Sequence, residues 1–387
     1  MRTSAFSFLS LLLALLMLLE PISVMASAAQ SDNISGWPAA PAIHAEAAVL
    51  MDARTGNLLY EKNKDDKHYP ASITKIMTTL LALENCDNYQ EMVPVSAQAL
   101  HITDADSSTI WAVEGEELKM SQCLYAVMLA SANEMANAVG EYTSGNLKRF
   151  VEDMNARARE LGCQNTHFNN ANGLPDERHY TTAYDMALIS RAAWQNRWFR
   201  KIAGTTAYTI PPTNKTATRR ELANHHRMVL QSYPCSGCVG GKTGYTTQAG
   251  NTLVTYVRRG SVTLIAVVMQ SDSSVYDDTN ALIEYGFGNF HRISIPAPGS
   301  KTLKDYFLPN VSWRFPSLLQ TPLTVSYEDG YAVLPKGAEE KDLTARQTYL
   351  PNALGKWKIR TDYFYNDCKV GVSYSYLQRP LQELDFI

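Results

Sequence analysis

Three short groups of residues in this chain of 387 residues have types and spacings that permit nucleophilic chemistry. The first is Ser72-Ile73-Thr74-Lys75. On a helix, positions three apart share a face, so the Ser72 hydroxyl and the Lys75 amine come within hydrogen-bond reach. A serine is a weak nucleophile until a base takes its proton, and a lysine becomes that base when burial and nearby cations lower its pKa. The N-terminus of such a helix also offers free backbone N–H groups to a developing oxyanion. The second group, Ser131-Ala132-Asn133, supplies a hydroxyl and an amide that can relay a proton to a leaving group and hold a substrate carbonyl. The third is Lys242-Thr243-Gly244. Here a cation opposes protonation of the base, a hydroxyl can bind a carboxylate, and Gly244 lets a peptide lie along a strand edge. Each group alone has an ordinary alternative: a helix-capping serine with a snorkelling lysine, a helix break, a lysine in a polar turn. Their combination and order are what point to one site.

The surrounding pattern assigns elements to these groups. Ala47 to Asp52 and Leu58 to Lys62 read as strands joined by Arg54-Thr55-Gly56-Asn57, a hairpin. Pro70-Ala71-Ser72 opens a helix with Ile76, Met77, Leu80 and Leu83 on one apolar stripe. A second helical pattern, Met120 to Leu129, breaks at Ser131-Ala132-Asn133 and resumes through Met135, Ala138 and Val139. The Asn- and Gly-rich run Phe168 to Pro175 is a loop, and Thr181-Thr182 caps a helix reaching about Trp194. Thr252 to Arg258 and Val262 to Met269 form a second hairpin just beyond Lys242-Thr243-Gly244, and Asn280 to Phe290 closes the region as a helix. From about Arg292 the pattern turns to short β-prone runs such as Leu323 to Tyr327 and Val370 to Tyr376. The pattern gives an α+β chain (α/β in the broad sense) of helices and antiparallel hairpins, with a small β-rich C-terminal domain. The expected boundaries are 1–28 for a signal peptide, 29–45 for a linker, 46–291 for the main domain and 292–387 for the β-rich domain.

Composition narrows the function classes. The net charge of −3 gives no global electrostatic case for nucleic acid. Arg2, the apolar run Phe6 to Leu19 and the small residues Ala26-Ser27-Ala28 read as a secretory signal, which predicts an extracytoplasmic protein. The run is shorter than the ~20 residues that span a bilayer. The six cysteines are scattered, and only Cys235 and Cys238 form a C-x-x-C pair. That pair is read as a loop feature, bonded or free, in preference to half of a metal site with His225 and His226. Gly241-Lys242-Thr243 is not a phosphate loop, because Ser236 stands where the first glycine is required and a strand follows it. Nothing in the sequence calls for a cofactor.

Taken together, the three groups and their order resemble the serine D-alanyl-D-alanine carboxypeptidases among the low-molecular-mass penicillin-binding proteins. The resemblance spans roughly Glu46 to Phe290. It includes Asp52-Ala53-Arg54-Thr55-Gly56, Tyr69 to Thr78, Asn172-Gly173-Leu174-Pro175-Asp176, His179 to Asp185 and Lys242-Thr243-Gly244-Tyr245-Thr246. It implies a β-lactamase-like fold, an antiparallel sheet flanked by helices with a helical subdomain and the site between them, and an oxyanion hole made by the Ser72 and Tyr245 N–H groups. Catalytic roles fall to Ser72, Lys75 and Ser131, and substrate-binding roles to Asn133, Lys242, Thr243, Gly244 and Tyr245. The implied partners are peptidoglycan stem peptides ending in D-Ala-D-Ala and, as covalent inhibitors, β-lactams. Endopeptidase action on cross-links uses the same chemistry, and a weakly catalytic wall-peptide binder is the reading from another class.

One feature separates the chain from the penicillinases, and three depart from the family pattern. Thr166 to Leu174 contains no carboxylate, where penicillinases of similar layout place a glutamate for deacylation, so slow release of a β-lactam acyl-enzyme is expected. The end of the chain, Leu377 to Ile387, holds Pro380, Glu383 and Asp385 in place of a basic amphipathic helix. A soluble or loosely wall-associated enzyme is expected, with membrane association left open. Thr263 stands near where relatives carry a carboxylate-binding basic residue, which shifts that task to Thr243 with Arg258 or Arg259. The Cys235/Cys238 pair precedes Lys242 by a few residues, so its redox state is expected to adjust that strand.

Overall fold

The strand Ala47–Asp52 (β1) is buried along its whole length. Its side chains alternate between two apolar layers: Ala47, Val49 and Met51 join one, Ala48 and Leu50 the other. The period of two, with both faces apolar, marks a strand sandwiched between packed layers rather than one facing water. The same division runs through Gly250–Arg259 (β8) and Val262–Ser271 (β9), where Val254, Tyr256, Ile265 and Val267 face one way and Leu253, Val257, Leu264 and Ala266 the other. With Leu58–Lys62 (β2) and Cys238–Thr246 (β7) these form a five-stranded antiparallel sheet in the order β2-β1-β9-β8-β7. β7, which carries Lys242-Thr243-Gly244, is an edge strand.

The computed structural model describes residues 36–101, 107–295, 324–351 and 357–378. All of these fall within one compact unit, Asn33–Ile387. The expected signal peptide, residues 29–35 of the expected linker and the last residues from Arg379 lie outside the described residues. Among the described residues no helix is long and apolar enough to cross a membrane.

One face of the sheet is covered by helices. Lys75–Asn85 (α1) runs through their middle, buried without interruption from Lys75 to Leu83. The expected single stripe was too narrow, because α1 is enclosed on every side and Thr78 satisfies its hydroxyl by donating to the Ala171 carbonyl at 2.6 Å. Around it lie Met120–Met128 (α2), Asn133–Ser144 (α3), Leu147–Glu160 (α4), Ala183–Gln195 (α5) and Arg197–Ala203 (α6). As expected, α5 is capped by Thr182, whose hydroxyl accepts from the Asp185 amide. Two short ribbons, Met92–Pro94 (β3) with Glu117–Lys119 (β4) and Ala207–Ile210 (β5) with Arg220–Ala223 (β6), border this layer.

The other face is covered by Val275–Asn289 (α7), which starts five residues before the expected Asn280. Phe290, expected to end that helix, opens the strand Phe290–Ile295 (β10). β10 begins a second antiparallel sheet with Thr324–Pro335 (β11), Thr344–Pro351 (β12), Trp357–Tyr365 (β13) and Cys368–Gln378 (β14), ordered β10-β11-β14-β13-β12. Ala332, Leu334 and Val370 from this sheet join the same apolar cluster as Leu282 and Ile283 of α7, so the core is continuous from one sheet to the other.

Candidate active site

Ser72 does not begin an α-helix. It lies in a 3-10 turn, Ala71–Thr74, that leads into α1. Ala71 takes a left-handed backbone (φ 50°), a conformation that costs about 1–2 kcal/mol outside glycine and needs support from its surroundings. That support is visible. The Thr252 hydroxyl on β8 donates to the Pro70 carbonyl at 2.9 Å. Thr74 pairs with His179 at 2.9 Å, and because His179 Nδ1 accepts the Asn169 amide, its Nε2 carries the proton and donates to Thr74. Burial holds His179 neutral, its pKa pushed down to about 3.

The first turn of α1 brings Lys75 back to the nucleophile, with Nζ 2.9 Å from Ser72 Oγ. The same Nζ lies 2.6 Å from Asn133 Oδ1 and 2.6 Å from the Asn172 carbonyl. Two of the three partners can only accept. A neutral amine satisfies both with its two hydrogens and turns its lone pair to the third, the Ser72 hydroxyl. Full burial, and after it the positive charge of Lys242, hold the Lys75 pKa well below the ordinary lysine value.

Ser131 and Asn133 sit between α2 and α3. Ser131 is buried with a left-handed backbone (φ 58°). The bend is pinned by the Ala132 amide donating to Ala126 at 3.1 Å and the Asn133 amide donating to Ser108 at 2.9 Å. Across the cleft, Lys242 is 1% exposed and donates to Ser131 Oγ at 3.1 Å and to the Thr243 carbonyl at 2.8 Å. Its burial lowers its pKa to about 7. Gly244 explains how the edge strand reaches the nucleophile: a Cβ there would lie 2.8 Å from the Ser72 nitrogen and 2.4 Å from Thr252 Oγ1. No other residue permits that approach.

All eight site residues expected from sequence therefore meet around one cleft or its immediate wall. Ser72, Ser131, Asn133, Thr243, Gly244 and Tyr245 line an opening of about 550 Å³, and Lys75 and Lys242 stand behind it, bonded to Ser72 and Ser131. Residues that sequence reasoning did not nominate also contribute. Asn172 offers its main-chain carbonyl to Lys75, and Gly173-Leu174-Pro175 forms one wall, with Ser107, Ser108 and His225 on others. The loop is built from asparagine turns: Asn170 Oδ1 accepts the Asn172 and Gly173 amides, and Asn172 Oδ1 accepts that of Leu174. A Cβ at Gly173 would fall 2.0 Å from the Ala71 carbonyl.

Some expectations fail on geometry. Arg258 pairs with Thr263 at the far end of the β8–β9 hairpin, while Lys242 pairs with Val254. Four residues of strand separate those levels, roughly 13 Å, and Arg258, Arg259 and Thr263 do not line the cleft. Cys235 and Cys238, expected as a loop feature bonded or free, are free thiols, with Cys235 just before β7 and Cys238 its first residue. His226 does not join them: its ring lies against Gly241 and bonds Thr255 at 2.9 Å. Among the described residues no cluster of His, Cys, Asp or Glu side chains is arranged to hold a metal ion.

An antiparallel sheet against a helical layer, with a serine–lysine pair, a bent Ser-x-Asn segment and an edge-strand Lys-Thr-Gly around one cleft, defines a serine acyl-transferring hydrolase of the penicillin-binding class. The D-alanyl-D-alanine carboxypeptidase family model matches residues 35–273. The chain is 35% identical over 251 residues to D-alanyl-D-alanine carboxypeptidase DacF of Bacillus subtilis, covering 64% of this chain and 63% of that protein. It is 30% identical to DacD of Escherichia coli, covering 72% of each. Among solved structures, the Streptomyces K15 DD-transpeptidase matches with a TM-score of 0.60 at 29% identity, over 64% of this chain and 99% of that one. Penicillin binding protein 6B from Escherichia coli matches with a TM-score of 0.67 at 26% identity, over 88% of this chain and 98% of that one. The chain belongs to the D-alanyl-D-alanine carboxypeptidase family.

Proposed function

We propose that the protein is a serine-type carboxypeptidase that removes the terminal D-alanine from peptidoglycan stem pentapeptides through an acyl-enzyme on Ser72. The observation that carries this reading is the buried Lys75 amine 2.9 Å from Ser72 Oγ, with its pKa held well below the ordinary lysine value by burial and by Lys242. Lys75 takes the Ser72 proton as Oγ attacks the carbonyl of the penultimate D-alanine. The carbonyl oxygen, now negative, accepts hydrogen bonds from the Ser72 and Tyr245 backbone amides, which Gly244 brings together. As the tetrahedral intermediate collapses, the C–N bond breaks and the departing amine takes a proton through Ser131, backed by Lys242. Water then attacks the ester, releasing the shortened peptide and restoring the Ser72 hydroxyl. Thr243 and the Lys242 charge bind the substrate's terminal carboxylate, Asn133 holds a peptide carbonyl through its NH2, and the edge of β7 accepts the peptide as an added strand. The apolar start of the sequence supports export, which would bring the enzyme to its wall substrate.

Release of D-alanine from diacetyl-Lys-D-Ala-D-Ala by the wild-type chain, lost in Ser72→Ala, is the expected result. Release that survives in Ser72→Ala would remove the serine from the mechanism. With benzylpenicillin, a long-lived acyl-enzyme on Ser72 is expected. Asp176, the first carboxylate after Thr166–Leu174, is engaged with the Arg178 and Asn169 nitrogens and is not poised to activate a water. Rapid penicillin hydrolysis by the purified protein would contradict this.

A further inference from the structure

The end of the main sheet opposite the cleft holds a pocket of about 650 Å³ walled by five arginines. Arg54 comes from the β1–β2 turn, Arg191 from α5, Arg200 from α6, Arg258 from β8 and Arg292 from β10. Among the described residues no aspartate or glutamate lines it. The chain carries 38 acidic residues against 35 Lys and Arg, so the cluster is not a by-product of a basic protein. Several arginines elsewhere meet carboxylates, among them Arg149, Arg157, Arg220, Arg259 and Arg360, whereas others among the described residues, such as Arg227, do not; what sets the pocket apart is five such side chains in one place. Among the described residues the five pocket arginines have no such partner. Two carboxylates adjoin the lining in sequence, and among the described residues neither forms an ion pair with the pocket arginines. Asp52 accepts from the amides of its own turn, and Glu160 pairs with Arg157.

Four of the five are held in place by neutral groups. Arg191 donates to the Ala53 and Arg54 carbonyls at 3.1 and 2.8 Å. Arg200 donates to Trp194 and Gln195 at 2.7 and 3.0 Å, and Arg292 to Ser261 at 2.7 Å. Arg54 stacks on the Tyr331 ring at 3.7 Å. Carbonyls and a ring orient a guanidinium without cancelling its charge, and each guanidinium keeps N–H groups to spare. The result is a preorganised set of like charges whose mutual repulsion only an anion relieves.

We propose that this pocket binds a soluble polyphosphodiester chain. A phosphate oxygen pair matches the guanidinium fork, and a phosphodiester keeps its charge across the whole physiological pH range. Five cations spread over several walls exceed what one phosphate can engage, so successive phosphates of a linear chain fit the arrangement. The concave shape suits an inserted chain better than the flat face of a lipid bilayer. The proposal is independent of the catalytic reading, since the pocket lies at the other end of the strands from Ser72.

Calorimetric titration of the full chain with a glycerol phosphate oligomer, at two salt concentrations, tests it. Inorganic phosphate and phosphatidylglycerol vesicles serve as separate arms. Saturable oligomer binding that weakens with salt is expected, with inorganic phosphate about tenfold weaker or more. The Arg200→Gln/Arg258→Gln double variant should lose about tenfold in oligomer affinity, and Arg178→Gln/Arg219→Gln, which removes the same charge from exposed positions elsewhere, less than about twofold. Arg54→Gln, at an exposed turn, is a second single-site probe and should weaken binding severalfold. D-alanine release unchanged in these variants would report an intact fold. Equal losses in both double variants, no saturable binding, or binding to the vesicles alone would each overturn the proposal.

Discussion

Two buried lysines, Lys75 and Lys242, face one cleft, and neither forms an ion pair among the described residues. Burial disfavours the charged form of each, and their proximity adds mutual repulsion at Lys75. For catalysis this is useful, since a base must be unprotonated near neutral pH. For stability it is a cost with a definite pH dependence. The unfolded chain keeps the Lys242 proton up to about pH 10.5, whereas the folded protein releases it near pH 7. Between those values the unfolded state binds more protons, so stability rises with pH. Replacing Lys242 by Met removes this dependence. Relative to wild type, Lys242→Met should therefore gain most at neutral pH and below, and the advantage should shrink as pH approaches 10. Urea titrations of both proteins at several pH values check it, and an advantage that grew with pH would contradict the assignment.

Among the elements, the meeting of the 3-10 turn with β7 matters most. Gly244 passes the Ser72 nitrogen with no room for a Cβ. Gly244→Ala would push β7 off the turn and separate the two amides assigned to the oxyanion. A fall of about 10²–10³ in kcat/KM is expected, comparable to removing one oxyanion donor, while the apolar layers remain packed. Comparing acylation rates with denaturation midpoints separates the two effects. The helix-start serine was legible from Pro70-Ala71-Ser72, but the 3-10 geometry was not. It depends on the Asn172-Gly173 loop and on Thr252, which lie 100 and 180 residues away in sequence. Of the Cys235/Cys238 pair, expected as a loop feature, only Cys235 lies in the loop while Cys238 opens β7, and the free thiols leave the redox coupling to Lys242 a matter for Cys→Ser variants and reductant.

At the scale of the whole molecule, the two sheets are joined covalently by the passage from α7 into β10 and physically by an aromatic cluster. Trp37 packs edge-on to Phe290 at 5.2 Å and parallel to Tyr365 at 6.2 Å, so a single side chain touches the helix–strand junction and the β13 end of the second sheet. Arg54 on Tyr331 adds a contact from the β1–β2 turn. Trp37→Ala should lower stability by about 3–5 kcal/mol, as expected for truncating a buried aromatic. The catalytic cleft should stay intact, because none of these rings belongs to it. Chemical denaturation alongside D-alanine release measures both, and a variant as stable as wild type would show the junction to be loosely packed.

The sequence by itself determined the residue types of the site, the order of the elements that carry them and the alternation of the sheet strands between two layers. These are consequences of local spacing: three residues on a helix turn, two on a strand, a glycine where the chain must pass close. The tertiary structure alone decided which groups surround Lys75, since its partners Asn133 and Asn172 are 58 and 97 positions away. It also decided that Arg258 serves the far end of the sheet rather than the cleft, because strand register converts a small sequence offset into roughly 13 Å. The same holds for the five arginines, which are spread from Arg54 to Arg292 and become a single charged pocket only when turn, helices and strands converge.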